Sequence, residues 1–384
     1  MPQPEHSRQE PVPLFCAASA AQGIDLTETL RQVVESQRYV LGPCVLSFEE
    51  AFAPYVGVSH AVGVGNGTEA LSIALRGLGV VPGDRVLTVA NAGFYASTAI
   101  RGLGAVPVYV DVDPHSLNMD PAALAEALGR SGKAGESPVR AVVVTHLYGF
   151  LADMPALSRL CSEAGVPLVE DCAQAHGALR EGRRAGAWGD VGCFSFYPTK
   201  NLGALGDGGA VVTANPELAA RLRSLRQYGW GAKYEVTLEG GVNSRLDELQ
   251  AAVLLAKLPW LDAANARRRD IAVRYTSAFA GWPLQLPQSG QGAGLDQVAH
   301  LYVLRTARRD ALRTHLTSRG IASDIHYPVP DHRQPVQAAA YAQVELPVTE
   351  TACAQVLTLP CFPGMTDEQV ARVIRAVNEF HEGA

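Results

Sequence analysis

From residue 60 to about residue 215, short Val-rich runs alternate with stretches of helical periodicity. No other feature constrains the fold of this chain as strongly. The runs His60–Val64, Arg85–Val89, Val106–Val110, Ala141–Thr145, Pro167–Val169, Val191–Phe196 and Gly209–Thr213 read as strands. Several carry Val on both faces, as strands do when helices cover a sheet on both sides. Between them, Glu69–Leu78, Pro121–Leu128 and Met154–Glu163 read as helices. This alternation predicts an α/β fold with a mostly parallel sheet. The texture changes after Glu248. Leu249–Phe279 reads as a long helix with a break near Pro259. Short strands such as Gln297–Val303 then mix with helices over Arg309–Ser318 and Asp367–Phe380. The expected organisation is a loose polar arm over residues 1–13, a large domain over 14–248 and a smaller α+β domain over 249–384. Ser289–Gly294 reads as a loop.

Composition narrows the function classes. With 47% hydrophobic and 18% charged residues the chain can bury a full core, so global disorder is excluded. A net charge of −6 argues against general nucleic-acid binding, which needs a basic face. The uncharged stretch Val86–Ile100 is shorter than the roughly 18 apolar residues of a membrane span. The N-terminus does not read as a signal peptide, since Glu5 and Glu10 outweigh Arg8, so a cytoplasmic protein is expected. The 7 cysteines have irregular spacing and no C-x-x-C, which suits reduced thiols.

Three motifs carry chemistry. Gly63-Val-Gly-Asn-Gly-Thr-Glu69 joins a strand to a helix. As a dinucleotide fingerprint it fails: Thr68 replaces the third glycine, and Asp84 precedes the next strand where an acid at its far end is needed. No P-loop motif occurs. The turn still has the parts of a phosphate cup, with small residues, the Thr68 hydroxyl and the N–H groups of a helix start. A helix capped by Thr68 is the equally fitting structural alternative. Val166-Pro-Leu-Val-Glu-Asp171 places an acid past the end of an apolar strand, where open α/β sheets bind ligands. A buried aspartate there needs a cationic partner. Phe194-Ser195-Phe-Tyr-Pro-Thr-Lys200 is followed by a loop holding Gly203, Gly206, Gly208 and Gly209. A lone lysine in such surroundings is poorly solvated, which lowers its pKa and frees the neutral amine that a Schiff-base lysine requires. Phosphate cup, strand-end acid and loop lysine together meet the demands of pyridoxal phosphate, PLP.

These motifs, with YVLGPCVLSFEEAFAPYVG, GNGTEAL, EDCAQAHGA, FSFYPTKNLGALGDGGAVVT, GGVNSRLDELQAA and GIASDIHYP, give the chain a resemblance from about Tyr39 to its C-terminus. It resembles the DegT/DnrJ/StrS-type PLP-dependent sugar aminotransferases, of the aspartate-aminotransferase-like fold type I. The resemblance implies a large domain with a mostly parallel seven-stranded sheet and a smaller C-terminal domain. It also implies roles. Lys200 would bind the cofactor covalently and move the proton. Asp171 would pair with the pyridine nitrogen, and Gln174 would contact the ring hydroxyl region. Gly67, Thr68 and Ser195 would bind the phosphate, with Glu69 at the helix start. Asn243 would reach the phosphate of a neighbouring subunit, which makes the active unit a homodimer. Phe94, in competition with Tyr95, would cover the ring. Tyr228, His326 and Tyr327 would face the substrate.

Members that dehydrate sugars carry His in place of the lysine, so Lys200 implies transamination. The loop around Lys200 is similar to members that aminate C3 of a TDP-3-keto-6-deoxyhexose, with L-glutamate as donor and pyridoxamine phosphate as the cofactor's intermediate form. C4 amination, an aminocyclitol substrate and a non-catalytic regulator are the alternatives. His146, His176 and His326 follow no metal-ligand spacing, so no metal is expected.

Overall fold

The computed structural model describes residues 10–16, 23–132, 137–287 and 294–383. The Val-rich runs pair into one sheet of 7 strands. They are β1 (His60–Val64), β2 (Arg85–Thr88), β3 (Val106–Tyr109), β4 (Val139–Thr145), β5 (Leu168–Asp171), β6 (Val191–Ser195) and β7 (Gly209–Thr213). Their spatial order is β1-β7-β6-β5-β4-β2-β3. β7 runs antiparallel to both its neighbours, and the other pairings are parallel. The register sets Thr145 beside Asp171 and Asp171 beside Cys193, so β4, β5 and β6 end along one edge.

Successive side chains on a strand point to opposite faces. On β4, Val142 and Val144 join one core and Ala141 and Val143 the other. The first core packs under α2 (Pro43–Val56), α5 (Pro121–Arg130), α6 (Met154–Ala164), α8 (Glu248–Lys257) and α11 (Pro347–Gln355), with α1 (Leu26–Ser36) against α8 and the Phe48–Phe196 and Phe52–Phe194 pairs in edge-to-face contact. The second lies under α3 (Gly67–Gly77), α4 (Tyr95–Gly102) and α7 (Pro216–Leu225). The sheet is therefore covered on both sides, as its mostly apolar strands require.

Pro259 breaks the predicted long helix as expected. The turn Leu258–Trp260 separates α8 from α9 (Leu261–Phe279). A third core gathers α9, α10 (Arg309–Ser318), α12 (Asp367–Glu382) and the antiparallel pair β8 (Tyr302–Arg305) and β9 (Val356–Leu359). Two readings need correction. Residues 297–301 are not strand: Val298 N and Leu301 N bond to Gly149 O and Tyr148 O, so this segment docks on a loop and β8 begins only at Tyr302. Residues 1–9 of the expected arm lie outside the described residues, but Val12 is fully buried and bridges Ile321 in the third core. Most of the loop at Ser289–Gly294 also lies outside them. Among the described residues no helix is long and apolar enough to cross a membrane.

Glu248 links distant parts of the chain. Gly42 offers no capping side chain to α2, so the free N–H groups of its first turn need another acceptor. The buried Glu248 carboxylate takes the N–H of Gly42, Cys44 and Val45 at 2.9, 2.9 and 2.8 Å. Glu248→Ala strips an acceptor from all of them, and a loss of about 3 kcal/mol is expected. Urea denaturation reads it directly. A loss below about 1 kcal/mol would mean that water caps α2 equally well.

Candidate active site

A cavity of about 540 Å³ opens where β4, β5 and β6 end, beside the N-terminus of α3. That is the crevice where open α/β sheets place ligands. Asn66 caps α3: its backbone is extended and its side chain accepts from Glu69 N at 2.9 Å. The cap is thus Asn66 and not Thr68. Thr68 is left to line the cavity together with Gly67 and Ser195. The first N–H groups of a helix have no partner within it, so those of Gly67 and Thr68 are available to an anion.

The helix reaches this close to β6 only because residue 67 is glycine. A Cβ there would lie 2.6 Å from Ser195 Cβ. Gly67→Ala is therefore expected to push the two walls of the anion cup apart. Pyridoxal phosphate affinity should fall about tenfold or more, with the fold retained. Titration of cofactor-free protein checks this, and unchanged affinity would place the phosphate elsewhere.

Asp171 ends β5 and is buried, with Oδ1 accepting from Ala173 N at 3.1 Å and Oδ2 from Thr145 Oγ1 at 3.4 Å. Burial pushes its carboxyl up, against the pull of the Ala173 N–H, Lys200, His146 and Thr145. Such a carboxylate is stabilised by a cationic group on a ligand. Lys200 follows β6 in a turn closed by Lys200 N donating to Tyr197 O at 2.8 Å. Burial lowers its ammonium from 10.5 to about 8, and Asp171 partly opposes this. A share of the amine is therefore neutral and nucleophilic near neutral pH.

Around these groups the side chains hold one another. His176 donates Nε2–H to Ser195 O at 2.9 Å, and burial lowers it to about 3, so the imidazole is neutral. Gln174 accepts from Tyr148 N at 2.6 Å and donates to Tyr327 Oη at 3.1 Å. His326 Nδ1 pairs with Thr358 Oγ1 at 2.8 Å. Tyr327 meets Tyr95 edge-on, ring centroids 5.9 Å apart. Gly93 permits this, since a Cβ there would lie 2.9 Å from both rings. The buried group His146, Glu170 and Cys172 has metal-ligand atoms in proximity. Glu170, however, accepts from Gly186, Trp188 and Gly189 N–H groups and pairs with His146, which makes it the anchor of a turn.

The cavity thus brings together Gly67, Thr68, Asp171, Gln174, Ser195, Lys200, His326 and Tyr327, from the C-terminal ends of two strands, a helix start and the 326–327 segment. Glu69, Phe94, Tyr228 and Asn243 do not line it. Glu69 turns aside to accept from Ser244 Oγ. Tyr95 lines the wall, whereas Phe94 is the N-cap residue of α4 with φ 70°. Tyr228 is half-exposed beside Trp230, and its neighbour Gln227 bridges Asn243. Asn66, Thr145, Arg268 and His300 line the cavity without having been singled out from sequence. Of these, Asn66, inside the GNGT turn, and Thr145, at the end of the predicted strand Ala141–Thr145, carried a local signal.

Residues 22–378 match the DegT/DnrJ/EryC1/StrS aminotransferase family. The chain belongs to this family. Among its relatives is a dTDP-3-amino-3,4,6-trideoxy-alpha-D-glucose transaminase of Streptomyces venezuelae, 46% identical over 355 residues that cover 92% of this chain and 91% of that one. Among solved structures, S. venezuelae DesV in complex with a ketimine intermediate superposes with a TM-score of 0.90 at 44% identity, covering 97% of this chain and 99% of that one. NtdA of Bacillus subtilis, with bound cofactor PMP, superposes with a TM-score of 0.89 at 29% identity, covering 99% and 87%. The architecture is that of the fold type I aminotransferases.

Proposed function

We propose that this aminotransferase uses pyridoxal phosphate to move an amino group from L-glutamate to the C3 ketone of a TDP-linked 6-deoxyhexose. The observation that carries the reading is the half-buried Lys200, with its lowered pKa, lining one cavity with the buried Asp171 at the strand ends. The DesV and S. venezuelae transaminase likenesses support the sugar class.

Bound pyridoxal phosphate supplies an electron sink for the pair left when the donor's Cα–H bond breaks. The chain's own residues do the rest. Gly67, Thr68 and Ser195 would hold the phosphate at the start of α3, where N–H groups and helix dipole favour an anion. Asp171 would face the ring nitrogen and favour its protonated form. Lys200 Nζ would anchor the cofactor and serve as the base that carries the donor's Cα proton, its pKa lying close to the working pH. Tyr95 and Tyr327 wall the cavity on one side and Gln174 steadies Tyr327. Tyr228, Tyr234 and Val236 present an outward apolar patch beside Asn243, which supports a homodimer with Asn243 serving the neighbouring site.

The test is an assay with PLP, L-glutamate and a panel of keto-sugar nucleotides, following 2-oxoglutarate release and product mass. A TDP-3-keto-6-deoxyhexose should gain the amine, with parallel initial-rate lines. Amination of only C4-keto sugars or keto-cyclitols would reject the substrate proposed. No amination of any acceptor would reject the reaction.

A further inference from the structure

Asp331 is a buried carboxylate that does not line the cavity. It opens the short turn Asp331–Arg333 and is 1% exposed. Its side-chain partners are hydrogen-bond donors, with no cation among them. Burial pushes its carboxyl from 3.8 up to about 7, against the pull of Ser97 and Phe94. Stability alone does not call for such a group. An apolar side chain in place of a buried charge is often neutral or better.

Both carboxylate oxygens are committed to α4. Oδ1 accepts from Phe94 N at 2.9 Å and Oδ2 from Ser97 Oγ at 2.6 Å. The Asp331 N–H donates to Ala90 O at 2.7 Å, just past β2. An ionised carboxylate can only accept, so the Ser97 proton points at Asp331. The 2.9 Å contact between Ser97 Oγ and Tyr109 Oη is then a bond donated by Tyr109. Gln337 Nε2 donates to Tyr109 Oη and to Asp331 O, while its Oε1 accepts from Arg101 at 3.1 Å. Donors thus run one way, from Gln337 through Tyr109 and Ser97, and end on Asp331.

This clasp holds the entry to α4. No side chain of the entering segment caps the helix, and Phe94 has a φ of 70°, a left-handed conformation that residues with a Cβ seldom adopt. Asp331 brings from a distant segment the acceptor and the negative charge that an N-cap side chain supplies. With Phe94 held so, its neighbour Tyr95 lines the cavity and Phe94 does not. Tyr327 stands four residues before Asp331, lines the same cavity and meets Tyr95 edge-on. The carboxylate therefore joins the two segments that carry the aromatic wall.

We propose that Asp331 is a positioning residue, which pins the start of α4 to the 326–331 segment so that Tyr95 and Tyr327 form one fixed wall of the cofactor cavity. The proposal rests on the reading of that cavity as the pyridoxal phosphate site.

The test compares Asp331→Leu with Asp331→Asn. Leucine has the same branched shape and offers no acceptor. Asparagine keeps an acceptor for Phe94 N and can donate to Ser97 Oγ. Ser97→Ala removes one of the two bonds and covers the case in which the leucine variant fails to fold. In cofactor-free protein, amide hydrogen exchange over residues 94–98 should quicken ~100-fold with leucine and stay near wild type with asparagine. In the PLP-loaded enzyme, kcat should fall ~10- to 100-fold with leucine, the cost of a displacement of about 1 Å at a reacting site. KM for L-glutamate, cofactor content and melting temperature should change little. Asparagine should restore most of kcat, and Ser97→Ala should lie between. Wild-type kcat in a folded leucine variant overturns the proposal, as do wild-type kcat and exchange in Ser97→Ala. So does a loss of kcat that follows lost cofactor or a lower melting temperature, which marks a structural role, or an equal loss with asparagine, which marks the charge. Wild-type protein that binds no pyridoxal phosphate rejects the reading of the cavity instead.

Discussion

Lys200→Ala is expected to abolish amino transfer, with turnover falling by about 10⁴-fold or more. Lys200 is the amine at the strand-end cavity whose pKa burial brings down to about 8, so it serves both as nucleophile and as proton carrier. Alanine removes both roles. It should leave the fold intact, because the Lys200 backbone N–H, which closes the turn onto Tyr197 O, is kept. Pyridoxal phosphate should still bind at the α3 N-terminus, without a borohydride-reducible bond, and an added small amine should restore part of the turnover. The pH dependence has a definite sign. Capture of the cofactor by wild-type protein needs the neutral amine, so its rate should rise with pH and level off above about 8. A variant that keeps turnover within tenfold of wild type would remove Lys200 from the chemistry.

The second large effect is expected at Asp171. Asp171→Asn preserves size and an acceptor for Ala173 N, but it cannot supply the negative charge that holds a proton on a pyridine nitrogen. Fixed electrostatic groups of this kind are worth roughly 10²- to 10³-fold in rate, because they are oriented before the charge appears. The donor half-reaction should slow by that factor in single-turnover measurements while cofactor content is maintained. Burial already pushes the Asp171 carboxyl up, so the anion relies on the surrounding donors and cations. Asp171→Glu moves the carboxylate by a methylene away from its present position at the cavity wall and should recover only part of the rate. A half-reaction within threefold of wild type in the Asn variant would exclude the assigned role.

Much of the architecture was legible because the side-chain period of a buried strand is local. β1 and β7 have the predicted limits. β5 runs further than expected, to Asp171, since its apolar run stops at Val169 and two acids follow. Both acids are buried, Glu170 through the N–H groups of residues 186, 188 and 189. Those partners lie in a turn that no strand pattern can anticipate. At the other extreme, the 297–301 segment has β-like composition but gives its Val298 and Leu301 N–H groups to the 148–149 loop, a partner far away in the chain.

The site divides in the same way. Lys200, Asp171, Ser195 and the Gly67-Thr68 turn announce themselves because each sits at the end of an apolar run, where the chain leaves the sheet with polar atoms exposed to a crevice. That much, together with the order of the layers, the sequence determined by itself. Tertiary structure decided which aromatic ring meets the cavity, Tyr95 or Phe94, through the φ of 70° that turns Phe94 into the cap position of α4. It decided that Val12 belongs to the third core. It also placed Arg268 beside His300, from a helix and a loop that share no local pattern. The physical reason is that a periodic pattern reports which face of an element is buried. The partner of a buried charge is set by segments far away in the chain.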